Sequence, residues 1–406
     1  MKKFLYLISI LFLLVTFVNI IGVIALNTKS RTLKTFFGYY NEIRNGLKSN
    51  NSRLINLDTN SFVNNLNNEK LYYTNARFVE DKWVIELMAL GNKNVIYSWS
   101  MDENTMLRNQ VTNKRNRKFS HSEPRSPYIL KDKSCVFYFE GLDCFFRVDS
   151  NSNIIWSNNE HRFHHTFNVD EQTIWVCTRE LVNRRAWENY VVALDINTGK
   201  TVFRSSPLSK LFLESNNYWL LGNSNTSTPK GNDPYHLNDV EVVKSDAKHW
   251  KKGDLFLSLR HRSSIVHYRP NVDSILSVIC GPFAMQHDVD ILSDSQISVF
   301  NNNVDPNIWG KYHVLKGKFN LSNICVYNFN SRSFSYPIKD SISKQGIFTK
   351  TQGLHEICPD GSIFVESQNN GVVYYFKKSG ELMYRGVLNN VNERTHWPRL
   401  YHELPF

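Results

Sequence analysis

The residues best equipped for chemistry in this sequence are histidines that recur in similar settings. They stand in 164-HHTFNVDEQTIWV, 235-YHLNDVEVV, 286-QHDVDILSDSQISVF and 355-HEICPDGSIFVES. The distance to the next isoleucine hardly changes: nine residues from His165 to Ile174, ten from His287 to Ile297, eight from His355 to Ile363. One histidine ahead of a strand is usually a turn or cap residue. Four in equivalent places point instead to imidazoles that converge on one pocket. Convergent imidazoles also ligate zinc, copper or iron, but their companions argue otherwise. Asn238 lies two residues beyond His236, and Arg260 opens 260-RHRSS. Asparagine is a poor ligand for a transition metal and a guanidinium is none, whereas both donate well to anionic oxygens. The set reads as an anion site with a nitrogen nucleophile and no metal.

Such a pocket needs a scaffold that brings distant segments to one axis. A β-branched or aromatic run, a polar turn and a second apolar run recur six times. They are 84-VIELMALGNKNVIYSW, 144-CFFRVDSNSNIIW, 191-VVALDINTGKTVF, 265-IVHYRPNVDSILSVI, 324-ICVYNFNSRSFSYPI and 372-VVYYFKKSGELMYRG. Period-2 alternation on both sides of an Asn, Asp, Gly or Ser turn marks each as a hairpin. Asp195 to Gly199 and Lys378 to Gly380 are the clearest turns. Units this small cannot fold alone, and their repetition is the signature of a β-propeller. An all-β, six-bladed propeller is therefore expected over residues 71–406. A sandwich or an up-and-down barrel predicts no such repetition. In a propeller the first strand of each blade lines the central channel, so equivalent histidines, each shortly before an inner strand, meet at one axial pocket.

The N-terminus points to export. Lys2 and Lys3 precede an apolar stretch from Phe4 to Leu26 that is interrupted only by Ser9, Thr16 and Asn19. A secretory apolar region runs to ~7–15 residues and a membrane span needs ~20. The stretch is of spanning length, so residues 1–26 read as a signal-anchor with the propeller on the extracytoplasmic side. Val23-Ile24-Ala25 also offers a cleavage pattern, which would leave a periplasmic or secreted chain. Residues 27–70 are rich in Asn, Ser and Lys and read as a stalk with one short helix over 33–47.

Composition narrows the partners. The chain has 406 residues, 41% of them apolar and 21% charged, with a net charge of +11. Wholesale disorder and a long coiled coil are excluded. The positive balance suits an anionic membrane or a small anionic substrate. No basic block interleaved with aromatics supports nucleic-acid binding. Six cysteines lack C-x-x-C spacing, against a structural zinc site. They are either paired or buried free thiols, and a turn at Gly141-Leu142 sets Cys144 opposite Phe139, not Cys135.

The run His236-Leu237-Asn238, then 253-GDLFLSLRHRSSIVHY, then 286-QHDVDILSDSQISVFNNN resembles the arylsulfotransferase family. The pair His164-His165 and the 97-YSW edge are similar to it as well. Members are exported six-bladed propellers that transfer sulfuryl groups between phenols without a phosphosulfate nucleotide. The resemblance implies His287 as the nucleophile that becomes sulfated, with His236, Asn238 and Arg260 binding the sulfuryl group. It implies His165 or His164 as a further pocket histidine, and His355 is grouped with them as substrate-binding. The family's Asp-Asn-Gly after the nucleophile strand is Asn301-Asn302-Asn303 here, a turn expected to support structure only. The segment between Arg260 and Gln286 is shorter than in the enterobacterial type, and the stalk is too short for that type's N-terminal sandwich domain.

The chemistry follows from the residue types. A neutral imidazole attacks the sulfur of an aryl sulfate. Arg260, Asn238 and a protonated histidine stabilise the equatorial oxygens. His236 or His165 serves the departing phenoxide as general acid. A second phenol then collects the sulfuryl group. No glycine-rich phosphate loop is present, so no cofactor is expected. The competing reading is a non-catalytic propeller that binds a sulfated or other anionic ligand.

Overall fold

The β-branched and aromatic runs fold into strands that are buried on both faces, which a layered stack of sheets requires. A computed structural model describes residues 62–66, 70–108, 119–182, 186–208, 227–228, 231–304, 321–387 and 397–406. The segment Phe4 to Leu26 and the stalk up to residue 61 lie outside them. Among the described residues no helix is long and apolar enough to cross a membrane.

Six antiparallel sheets form the six blades of a propeller. Blade 1 comprises Leu400–Tyr401, Tyr72–Val79, Lys82–Ala89 and Val95–Asp102. Blade 2 comprises Pro124–Ile129, Cys135–Phe139, Cys144–Val148 and Ile154–Asn158. Blade 3 holds Phe163–Val169, Thr173–Val182, Ala186–Asp195 and Thr201–Ser205, with two short strands added near its edge. Blade 4 holds Leu237–Val242, Leu255–Leu259, Ser264–Arg269 and Ser274–Cys280. Blade 5 is His287–Ser293, Gln296–Asn301, Asn323–Asn328 and Ser333–Ser335. Blade 6 is Leu354–Ile357, Ile363–Ser367, Val372–Phe376 and Leu382–Val387. In each blade the first strand named is innermost. All six hairpins expected from the sequence are the third and fourth strands of a blade, counted from the innermost.

Alternation builds the core between blades. In blade 2, Cys135, Phe137, Phe139, Cys144 and Phe146 pack with Ile85, Leu87 and Trp99 of blade 1. Their neighbours Val136, Tyr138 and Phe145 face the other way, onto Phe167, Ile174 and Val176 of blade 3. Each such side chain stabilises by roughly 1.5–3 kcal/mol on burial. Cys144 pairs with Phe139 and Cys135 with Val148 as the register demanded, and all six cysteines are free thiols. The turn at Gly199 needs glycine: φ is 68°, and a Cβ there would come within 2.4 Å of the Trp156 ring.

The ring closes through both ends of this unit. Leu400–Tyr401 joins blade 1 as its innermost strand, beside Tyr72 and Tyr73. Val63–Asn64 pairs with Arg385 and Tyr384 on the outer edge of blade 6. This corrects the stalk boundary, because residues assigned to the stalk enter the sheet. An Asn-rich edge strand of two residues leaves no periodicity to read.

Candidate active site

Each innermost strand begins near a residue with left-handed backbone. These are Trp397, Ser126, His165, His236, Asp288 and Gln352 in blades 1 to 6, with φ between 48° and 64°. In blades 2 to 5 the pairing register slips at the same place. A left-handed non-glycine residue costs on the order of 1–3 kcal/mol, and a bulge re-aims the side chains beside it. Repeated around the ring, the kink turns side chains toward the axis at one end of the channel. The histidines therefore sit on or directly at the innermost strands, not ahead of them. The isoleucines that follow at near-constant spacing belong to the second strands. The recurring interval measured one strand and its turn.

Three blades supply the cluster. His165 Nε2 lies 2.8 Å from His236 Nε2. The His165 ring is 5.5 Å from that of His287 and 3.8 Å from that of His164. His164 is also 4.9 Å from His236. Arg260 is buried where its charge bears on His165, His236 and His287. Its backbone N–H donates to the His236 carbonyl, which fixes blade 4's second strand to the site. Asn238 donates its Nδ2 to the Gln286 carbonyl at 2.8 Å and so braces the residue before His287.

His355 is not part of this group. Its Nδ1 meets Asp288 Oδ2 at 2.9 Å and its Nε2 meets Ser298 Oγ at 2.7 Å. With both nitrogens engaged and the side chain fully buried, it ties blade 6 to blade 5.

Hydrogen bonding decides the tautomers. Asn302 donates its amide to the carbonyls of Thr349 and Gln352, at 2.9 and 2.6 Å. Its Oδ1 must then accept from His287 Nδ1–H, at 2.7 Å. The lone pair of His287 is left on Nε2, which accepts from the Gln352 N–H at 3.2 Å. His236 is held in the same way: Nδ1–H donates to Asp233 Oδ2 at 2.7 Å, which leaves its Nε2 to accept from His165 Nε2–H. Asp233 is fully buried and also takes Arg179 and Asn189. Despite its burial, His236 and Arg179 hold its carboxyl below the usual range.

Burial, with Arg260 second, holds His287 well below the usual imidazole value. Burial and the neighbouring imidazoles and arginines do the same to His165. Burial also lowers His236, although Asp233 opposes it. These imidazoles are neutral at pH 7. Arg260 brings a positive charge to the same pocket. His165 and His236 thus form a hydrogen-bonded pair backed by the Asp233 carboxylate. His164, His165 and His236 also present nitrogens within 4.8 Å of one another, a spacing that suits a metal ion. The buried guanidinium of Arg260 beside them disfavours a cation there.

Residues 126–388, nearly two thirds of the chain, match the family model described as Arylsulfotransferase (ASST). The chain belongs to the arylsulfotransferase family. No curated protein matches it. Solved structures similar to it include a Bacteroides caccae protein of unknown function, at 9% identity and TM-score 0.47, covering 78% of this chain and 93% of that one. TolB from Acinetobacter baumannii is another, at 10% identity and TM-score 0.46, covering 82% and 66%. Virginiamycin B lyase from Staphylococcus aureus aligns at 9% identity and TM-score 0.39, covering 71% and 76%.

Several pocket residues of this family member escaped sequence reasoning. Asp233 and Arg179 lack any motif, although Asp233 precedes His236 by three residues and closes on it locally. Asn302, expected to be structural only, holds the His287 ring. His261 stacks on His236 at 4.4 Å and donates its Nδ1–H to the Asp233 carbonyl at 2.6 Å. Trp397 brings its ring to 5.3 Å from His165, with Arg125 above its face. Its signal is a tryptophan just before the closing strand, visible only once the ring is drawn shut.

Proposed function

We propose that this arylsulfotransferase moves a sulfuryl group from a phenolic sulfate ester to a phenolic acceptor through sulfated His287. The observation that carries the reading is the Asn302 lock, which leaves the nucleophilic lone pair on His287 Nε2. In the first half, Nε2 attacks sulfur, the S–O bond to the aryl group breaks, and the phenolate leaves with the electron pair. Arg260 and the Gln352 N–H stabilise the equatorial oxygens. In the second half the acceptor phenol gives its proton to His165, whose Nε2 proton shifts to His236. The positive charge comes to rest beside Asp233. The phenol oxygen attacks sulfur, the N–S bond breaks, and the pair returns its proton to solvent. Asn238 positions the segment that carries His287, and His164 packs the pocket wall. An apolar N-terminal segment of spanning length supports placement of the propeller on the extracytoplasmic side, anchored or released.

The test is to mix the protein with p-nitrophenyl sulfate and no acceptor. About one phenolate per site appears in a burst, with a covalently sulfated chain. His287→Ala loses both together, and a chelator changes neither. Ligand binding without sulfated protein, across a panel of aryl sulfates, overturns the transferase reading in favour of a binding propeller.

A further inference from the structure

At the far end of the blade 6 innermost strand, three metal-type ligands meet. We propose that Glu356, Cys358 and His402 form a zinc site that clips the closing strand to blade 6. Each offers one ligand atom, and the three lie within 4.8 Å of one another. Glu356 Oε1 and His402 Nε2 are already 3.3 Å apart. Zinc bonds of ~2.0–2.3 Å in a tetrahedron set ligand atoms roughly 3.3–3.6 Å apart. The carboxylate and imidazole stand at that spacing, and the sulfur has to close by about 1 Å at most.

The turn that carries the sulfur is rigid. Cys358 opens the turn 358-CPDGS, and its backbone is fixed at both ends: its N–H donates to the Ser362 carbonyl and its carbonyl accepts from Gly361. Ser362 Oγ donates to Asp360 Oδ1 at 2.5 Å and meets the Tyr375 hydroxyl at 2.7 Å, which stiffens the same turn. Cys358 is buried, whereas Glu356 and His402 are 38% and 39% exposed at their side chains. A metal entering from solvent reaches all three and keeps a water in the fourth position.

The site has a mechanical meaning. Leu400–Tyr401 is two residues long and pairs only with Tyr72 and Tyr73. His402 follows it directly, while Glu356 and Cys358 belong to the neighbouring blade. A metal held by both fastens the point where the ring closes. The inference stands apart from the sulfuryl chemistry, since none of the three ligands contacts the imidazole cluster.

Cobalt is the probe that separates this site from the histidines. Among the described residues no other group of metal ligands contains a cysteine. One equivalent of cobalt added to the metal-stripped full chain gives a thiolate-to-cobalt charge-transfer band, and zinc abolishes it. Cys358→Ser loses the band. His402→Ala, at an exposed position, weakens zinc binding by more than ~100-fold, beyond the ~10–100-fold cost of an outer contact. Tyr375→Phe stays within that smaller range. Zinc raises the melting temperature of the wild type and leaves that of His402→Ala unchanged. The proposal is overturned if no charge-transfer band appears, if His402→Ala binds zinc as the wild type does, or if His236→Ala alone removes binding.

Discussion

If Asn302 sets the tautomer of His287, then Asn302→Ala must slow sulfation by a calculable amount. The substitution removes the acceptor of His287 Nδ1–H, a 2.7 Å bond between buried groups. A buried donor left without a partner costs about 1–3 kcal/mol. The reactive tautomer bears that cost, because it alone carries the proton on Nδ1. At ~1.4 kcal/mol per tenfold, the burst slows roughly 5- to 150-fold. Stability falls as well, since the Thr349 and Gln352 carbonyls lose their donors. Asn302→Asp separates the two effects. Its carboxylate still accepts from Nδ1–H, yet it donates to neither carbonyl and faces them with negative charge. The burst rate therefore ranks wild type, Asp, Ala, whereas the melting temperature ranks wild type, Ala, Asp. Stopped-flow release of p-nitrophenolate and thermal melts give the two orders. A burst rate that follows the melting temperature, or Asn302→Ala within twofold of wild type, refutes the lock.

Other consequences are checked by pH and substitution. Because burial and Arg260 depress the pKa of His287, the burst rate holds as pH falls past ~6.5, where free imidazole loses its lone pair; an acid limb at or above that value contradicts the geometry. Asp233→Asn removes a carboxylate with depressed pKa, so the wild type's stability advantage is full above pH ~4 and fades only well below it. Denaturant melts across that range measure it, and an advantage already lost at pH 6 speaks against the Asp233–His236 pair. Glu366 is buried, and burial with Asp288 raises its carboxyl well above the ordinary range. Its ionisation in the unfolded chain costs the fold stability as pH rises above ~4.3, so Glu366→Gln gains on the wild type between pH 5 and 8. A constant difference in melting temperature across that range contradicts the buried, neutral carboxyl.

The blades were legible because hairpins are local. Turn chemistry at Asp195 to Gly199, where Asp195 Oδ1 accepts from the backbone of Asn197 and Thr198, lies within five residues and announces itself. Buried alternation from Cys135 to Phe139 is equally local. Closure was not. Tyr401 meets Tyr72 from the other end of the chain, and Val63–Asn64 meets blade 6 across a similar distance. Two-residue strands carry no period, so only the finished ring gives them their places.

The site was half legible for a related reason. Residue type pointed to His165, His236, His287 and Arg260, because imidazole and guanidinium have few other reasons to recur. The device that gathers them is a backbone conformation, and it leaves no residue type behind. Six different positions adopt it: Trp397, Ser126, His165, His236, Asp288 and Gln352. In five of the six blades no glycine, the residue that flags a positive φ, takes part; only blade 6 adds one, Gly353. His355 shows what the missing information costs. It matches the others in spacing to its isoleucine, yet its own φ is not left-handed and the bend of blade 6 falls earlier, at Gln352 and Gly353. Its ring consequently turns to Asp288 and Ser298. Spacing along the chain assigned four histidines to the pocket; the position of the bend relative to each one decided that three of those four blades deliver.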